Sequence, residues 1–595
     1  VRGNLTVTTG SGSAVAQRGI LTVDGTTDIT ANNGASNISL NSYENVLTGA
    51  ISLKGHNSRV INSKAVELGT VDAAAMVVTA RGAITQSGVV DSNGQSTLTA
   101  QSSDTNTDYD ITLENTSNNF VEKLIIRAAN VSIKDTGTTK IGATIVSGNY
   151  ALTTTGEVTD SGNMNIEGTT TISSSGSNII LDRSGNDFTG AVAVVGANVQ
   201  LVDANAIVLG TSDVSGTYQV TATAGNITDT GALTVAGTST LVTTANDASI
   251  TLDQGGHAFT GALLITTNDT GTDTAGDVTI YAGSGAALDF GASTIDGDLI
   301  ARSGHATGIT DSGVVTVRGT SSYQTTATDA DISLNSANAL TGTVTLNTTG
   351  VGGNATLDNG TTAIVLGTSA ASLATSVGGD LTLQTGHASG ITDSATVTVG
   401  RNLSATTDDN NGVINLGTLV VDGTITLATN DDANDDSAHA TIVNTCSVCS
   451  HGLKFAASTV EGNLSATATT GNMIQSGALT IKGTSAITTS ANNATISLDT
   501  TTNAFTGALT ITTNDDAGAD ADATIDGGTT KLVIAASEVD GDLTLTTGNA
   551  ADTSGITDSG KVTVGGNLSV TNDVDNGDID MGTLAVTGTI TLTTE

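Results

Sequence analysis

Few residues in this chain are equipped for chemistry, and they are unevenly placed. The only two cysteines, Cys446 and Cys449, lie in NTCSVCSHGL, with His451 just beyond them and His439 just before. Three readings fit: a disulfide closing a corner loop, free thiols, or a metal site that recruits both histidines. The order of ligands is not a zinc-finger frame. Ser450 separates Cys449 from His451, so the CxxCH of covalent haem attachment is missing. A thioredoxin-like redox pair needs a βαβ context, which the surrounding pattern lacks. In an oxidising compartment the disulfide is the favoured reading.

Carboxylates are the second resource. Three Asp-rich loops stand out: NDTGTDTAGD from Asn268, NDDANDDSAH from Asn430 and NDDAGADADA from Asn514. Calcium takes six to eight oxygen ligands. Asp431, Asp432, Asp435 and Asp436, and likewise Asp515, Asp516, Asp520 and Asp522, could supply them. None of the three loops matches the EF-hand frame or the calcium-binding nonapeptide. The competing reading is a solvated acidic loop that lengthens a corner. No other cofactor is expected.

A third set recurs once per repeat. The phrase ITDSG and its variants place Asp160, Asp229, Asp311, Asp393 and Asp558 in equivalent positions, and Gln86 and Gln475 stand there in other copies. Gln cannot act as a charged acid, base or strong metal ligand, but it can hydrogen-bond a turn. The position therefore reads as a corner residue that satisfies local N–H groups. No GxSxG, HExxH or P-loop occurs. No carboxylate pair with basic neighbours breaks the repeat, so the chain is expected not to be an enzyme.

The elements that must hold these residues are strands. Leu, Val and Ile alternate with Thr and Ser in short runs bounded by Gly, Asn, Asp and Ser, which is the period-two signature of a strand with one buried face. The 595 residues include 72 Gly, no Pro and no Trp, and aromatics are 2% of the chain. A narrow core of stacked aliphatics needs no large aromatics, and Pro would remove a ladder hydrogen bond. Low aromatic content and a net charge of −40 resemble disorder, but the alternation and the missing Pro point the other way. With 58 Asp+Glu against 18 Lys+Arg, nucleic acid is excluded as a partner. No apolar run reaches the roughly 18–20 residues of a membrane span.

The strongest signal is self-similarity. An apolar residue, then TG, then an alternating run recurs as LTGAISL from Leu47, FTGAVAV from Phe188, FTGALLI from Phe259, LTGTVTL from Leu340, VDGTITL from Val421, FTGALTI from Phe505 and VTGTITL from Val586, with FVEKLII from Phe120 as a degraded copy. Successive copies are 68–84 residues apart. Each interval holds three phrases of about 21–28 residues, and each phrase has three short strands. The expectation is an all-β parallel β-helix solenoid, right-handed by crossover preference. It would have roughly 24 coils and be about 115 Å long at ~4.8 Å per coil. The apolar residue before each TG should fill an interior corner. The chain reads as one continuous rod over 1–595. Repeats are degenerate over 1–188 and regular over 189–259, 260–340, 341–421, 422–505 and 506–586, with a further unit beginning at 587–595. The opening VRGNLTV is already in the pattern, so the chain looks like a segment of a longer protein.

Runs such as GNITDTGALTVAGTSTL (Gly225 to Leu241) and GITDSGKVTVGGNLSV (Gly555 to Val570) resemble the β-strand repeats of filamentous-haemagglutinin-like surface proteins of bacteria, including two-partner-secreted and autotransporter passengers. The resemblance implies an extracellular, cell-surface location, an oxidising setting for Cys446 and Cys449, and a structural fibre that associates with copies of itself. The alternative it implies is the stalk of an adhesin that binds cell-surface or matrix glycans or proteins. A polysaccharide-active β-helix enzyme or an ice-binding face, the latter suggested by TLTT at Thr544 and Thr591, are lesser alternatives.

Overall fold

The computed structural model describes all residues except 272–274, 369–372, 432–436, 519, 550–554, 575–576 and 595, together with the side chains of 409 and 410. The chain is all-β, a parallel β-solenoid of about 26 turns, against the roughly 24 expected. Among the described residues the helical content is one 3-10 turn, Asn32–Gly34. The chain divides into two compact units, Val1–Ala286 and Ala287–Glu595.

In the second unit the ladder is read most simply. Ile309–Asp311 pairs in parallel with Ile332–Leu334, which pairs with Ala355–Asp358, then Leu381–Thr385, Leu403–Asn410 and Ile425–Asn430. Inward positions in these strands are Leu, Ile or Ala, followed by Thr385, Thr407 and Thr429 at the inner strand ends, all buried; the alternating outward positions are mostly Thr and Ser. A single coil has no partner for its apolar face, so the core exists only in the stack.

Each coil has one straight side and one side bent into two short strands, and the strand after each TG phrase is where they exchange. Val344–Thr349 pairs with one strand of the previous coil, Ser321–Thr328. On the next coil it has two partners, Val344 facing Leu366 and Asn347 facing Ser376. Ile425–Asn430 splits likewise, Ile425 facing Phe455 and Ala428 facing Thr459. Leu509–Asn514 repeats it, Leu509 facing Ile534 and Thr512 facing Glu538.

The ladder from Val344–Thr349 runs through Ile364–Leu366, Ile391–Asp393, Ile414–Val421, Ala440–Asn444, Leu464–Ala468 and Ser485–Asn492 to Leu509–Asn514. Two repeats therefore take seven coils, and Ile425–Asn430 lies on the other ladder. A repeat closes after three and a half turns, where its three phrases imply three. Equivalent residues of successive repeats lie on opposite ladders.

The first unit makes the same exchange. Val192–Gly196 faces Ile207–Leu209 through Val192 and Leu209, and Ser212–Val214 through Val195 and Asp213. Leu124–Ala128 does so across a register shift, Leu124 facing Ile141 and Ile126 facing Thr144 of Thr139–Val146, which continues the bent side to Val158–Asp160 and Met164–Ile166. In Ile51–Asn62 and Val66–Ala80 the strand passes through the bend unbroken, and these two pair along their length. The described pairings are parallel except for one hairpin, Gln101–Ser102 against Thr107–Asp108.

The glycine of the TG phrase has a steric reason. A Cβ at Gly49, Gly190 or Gly261 would collide with the backbone of Gly25, Gly168 or Gly237 on the preceding coil. In the second unit Gly342 and Gly507 meet Gly319 and Gly483 in the same way. The apolar residue before TG fills the core: Leu47, Phe120, Phe188, Phe259, Leu340, Val421 and Phe505 are all buried.

Candidate functional site

The ITDSG positions sit at the corner that closes the bent side, and their side chains bind the chain itself. Asp311 is the fullest case. Its Oδ1 accepts the N–H of Asn335 at 2.8 Å, and its Oδ2 accepts the N–H of Ser336 at 3.1 Å and the Nδ2 of Asn338 at 2.7 Å. Asn338 in turn accepts the Val315 N–H through Oδ1 at 2.8 Å. The carboxylate thus orders one loop of the next coil, and a buried Asn relays the grip back to the strand start.

The relay repeats with changed chemistry. In the first unit Asp160 accepts from Asn186 Nδ2 at 2.7 Å, and Asn186 accepts the Met164 N–H. Burial raises the Asp160 carboxyl above its ordinary range. Gln86 and Asn118 exchange two amide bonds of 2.8 and 2.9 Å, and Asn118 accepts the Val90 N–H. Gln17 and Asn45 do the same. In the second unit Gln475 and Asn503 form that amide pair, and Asn503 accepts the Leu479 N–H. Asp393 and Asp558 lack the relay. Asp393 accepts the N–H groups of Gly417 and Thr418 directly, and Asp558 those of Gly582 and Thr583.

One corner carries an ionisable pair. His257 stands where five other repeats have the relay Asn, and its Nε2 lies 2.9 Å from Asp229 Oδ2, with side-chain exposures of 0% and 1%. Its Nδ1 accepts the Leu233 N–H at 3.0 Å. A nitrogen that accepts carries no proton, so the proton is on Nε2 and the ring is neutral. Burial lowers the imidazole and raises the Asp229 carboxyl. Phe259 stacks on the ring, with centroids 5.7 Å apart. An Asp–His pair invites a catalytic reading, but Nδ1 is taken by the Leu233 N–H, Nε2 faces the Asp229 carboxylate and no face reaches solvent. The pair can hold a corner; it has no lone pair for a substrate proton.

This relay column went unread in the sequence. Its signal was present: Asn45, Asn118, Asn186, His257, Asn338, Leu419, Asn503 and Leu584 each stand two residues before the apolar residue of the TG phrase. Aligned on that phrase, the position holds five asparagines, one histidine and two leucines.

The other candidate residues do not converge on one site. Cys446 and Cys449 are joined in a disulfide with Cα atoms 5.6 Å apart. Cys446 is buried, and Val448 at the loop tip is 91% exposed. Asn444 closes the loop from below: its Oδ1 accepts the Val421 N–H, and its Nδ2 donates to the carbonyls of Val421 and Gly452. His439 Nδ1 accepts the Asn463 N–H. Of the acidic candidates, Asp432, Asp435 and Asp436 lie outside the described residues. Asp431 is buried. Asp522 Oδ1 accepts the Asp542 N–H at 2.7 Å, and Asp515 Oδ1 accepts that of Ala517. Asp516 and Asp520 are exposed. Among the described residues no three acidic, His or Cys side chains come together in a group that could hold a metal.

The family model described as "Repeats of unknown function (DUF5649)" matches residues 1–54, 55–126, 128–195, 196–266, 275–347 and 441–512, more than half of the chain. The chain belongs to this repeat family. No curated protein and no solved structure matches. Each matched DUF5649 segment ends inside the strand that follows a TG phrase, as at Lys54, Ile126, Val195, Thr266, Asn347 and Thr512. The family repeat therefore runs from one exchange of straight and bent sides to the next. The corner relay, the buried apolar residue and the TG glycine fall together near the end of each copy.

Proposed function

We propose that this chain is a non-catalytic structural segment of an extracellular bacterial fibre or surface filament, of the filamentous-haemagglutinin-like kind that its repeats resemble. One observation carries the reading: the polar side chains that could do chemistry at the repeated corners are consumed by backbone groups and relay side chains of the chain itself. That is the arrangement of a scaffold, in which each repeat templates the next. A disulfide-closed loop suits an oxidising location. The half-integral repeat suits a filament, because features borne once per repeat appear on opposite sides in turn and offer contacts to neighbours on both. The partner expected is a further copy of the chain.

Electron microscopy of the material secreted by producing cells tests the proposal. Continuous filaments of uniform width, labelled along their length by antibody to this segment, are expected. Isolated projections with a bulky, differently labelled tip would overturn the fibre and favour the stalk of an adhesin for cell-surface or matrix ligands. Release of sugars from polysaccharide by the purified chain would overturn the non-catalytic reading.

A further inference from the structure

Three buried corners of the first unit follow one plan. Asn62, Asp135 and Asp203 are all within 4% of full burial. Each accepts the backbone N–H of the apolar residue fifteen positions earlier: Leu47 at 3.0 Å, Phe120 at 2.9 Å and Phe188 at 3.0 Å. The next residue in each, Ser63, Thr136 or Ala204, donates its N–H to the carbonyl of the relay residue, Asn45, Asn118 or Asn186. The backbone is the same; the side chains differ in what they can donate.

Asn62 grips on two sides. Besides accepting from Leu47, its Nδ2 donates to the carbonyls of Leu47 and Ala65 at 3.0 and 2.8 Å. A carboxylate has no hydrogen to give. Asp135 instead uses its second oxygen to accept the Thr139 hydroxyl at 2.6 Å, and Asp203 to accept the Asn205 N–H at 2.8 Å. The titratable groups that face them are Tyr150, on the coil after Asp135, and Asp187, beside Asp203. Neither is a cation, so neither balances a buried negative charge.

We propose that Asp135 and Asp203 are acid-strengthened locks: protonation removes a buried, uncompensated charge and supplies the donor that the Asn62 amide supplies in the matching corner. Mild acid should then tighten these coils, where it ordinarily loosens a protein that relies on ionised carboxylates. Burial pushes both carboxyls from 3.8 up to about 6. The folded form thus takes up the proton before the unfolded chain does. The stabilisation is absent above pH 7, grows as pH falls through about 6, and is complete near the ordinary value of 3.8.

The test is hydrogen exchange on the full chain from pH 7.5 to 4.5, corrected for intrinsic exchange and read on peptides that contain Phe120 and Phe188. The local opening constant at each should fall about 20-fold on acidification, from the linkage of a carboxyl shifted by some two pH units. The peptide containing Leu47, held by Asn62, is the internal control and should show no such gain. Asp135→Asn with Asp203→Asn should give, at pH 7.5, the protection the wild type reaches only at pH 4.5, and should abolish the pH dependence. Protection that stays flat or falls on acidification in the wild type would overturn the proposal. So would a pH dependence that survives in the double variant at Phe120, whose relay pair is the non-titrating Gln86 and Asn118.

Discussion

The corner at Asp229 in the first unit and the corner at Asp393 in the second occupy the same place in the repeat and solve it in opposite ways. At Asp229 the next coil runs ten residues from Ile250 to Phe259. The carboxylate is met by a buried imidazole that also accepts the Leu233 N–H. At Asp393 the matching stretch, Ile414–Val421, is eight residues. The shorter loop brings the Gly417 and Thr418 N–H groups straight onto the carboxylate, and apolar Leu419 takes the relay position and is buried. Loop length, not the conspicuous aspartate, decides whether the corner needs a polar relay.

The comparison can be broken most severely at His257. His257→Leu imports the second unit's solution without its shorter loop. It leaves the Asp229 carboxylate buried without its partner and the Leu233 N–H unpaired, at a cost of about 3–5 kcal/mol. His257→Asn, which installs the residue of the sister corners, should stay within about 1 kcal/mol of wild type. Denaturant unfolding of the two variants reads the difference, and equal stability would show that the relay carries no weight. Next in size is Asn503→Leu. It orphans the Leu479 N–H and the Gln475 amide, for about 2–3 kcal/mol, whereas Leu419 already occupies that position harmlessly.

A pH series sharpens the same contrast. The folded-state value of His257 lies below the ordinary 6.5, so the stability it contributes is present above that value and is lost as pH falls below it. Because Asp135 and Asp203 act in the opposite sense, the readout is wild type minus His257→Asn. That difference should turn against the wild type below about pH 6.5, and a pH-independent difference would remove the neutral-ring assignment.

Smaller effects are expected where the side chain only assists. Reducing Cys446–Cys449 opens a short loop and should lower the stability of the surrounding coils by about 2 kcal/mol, read by hydrogen exchange near Asn444 with and without reductant. Millimolar calcium should change the thermal unfolding least, by about a degree or less if mass action on weak sites is all that operates. Asp515 and Asp522 already accept backbone N–H groups, and a shift of several degrees would show that the acidic loops bind the ion after all.

Much of the architecture was legible because it follows from local periodicity. Alternation fixed which face of Leu381–Thr385 or Leu568–Asn572 turns inward, and the TG phrase, with its variants at Phe120 and Val421, marked the repeats. The Asp/Gln exchange at Gln86 and Gln475 correctly pointed to a backbone-binding corner. The half turn escaped notice because it depends on which coil each strand meets. Val344 pairs 22 residues on with Leu366, while Ile425 pairs 30 residues on with Phe455, and loops of unequal length hide that bookkeeping in the sequence.

By itself, then, the sequence determined the strands, their inward faces, the repeat and the acidic, proline-free surface, since these are set by side-chain type at fixed spacing along one chain. Only the tertiary structure decided that straight and bent sides exchange at TG strands such as Val344–Thr349 and Leu509–Asn514, that His257 meets Asp229 in a buried corner, and that Asp135 and Asp203 take the corner that Asn62 takes in its own repeat. Those are relations between residues on neighbouring coils, and they come into being only when one coil is laid on the next.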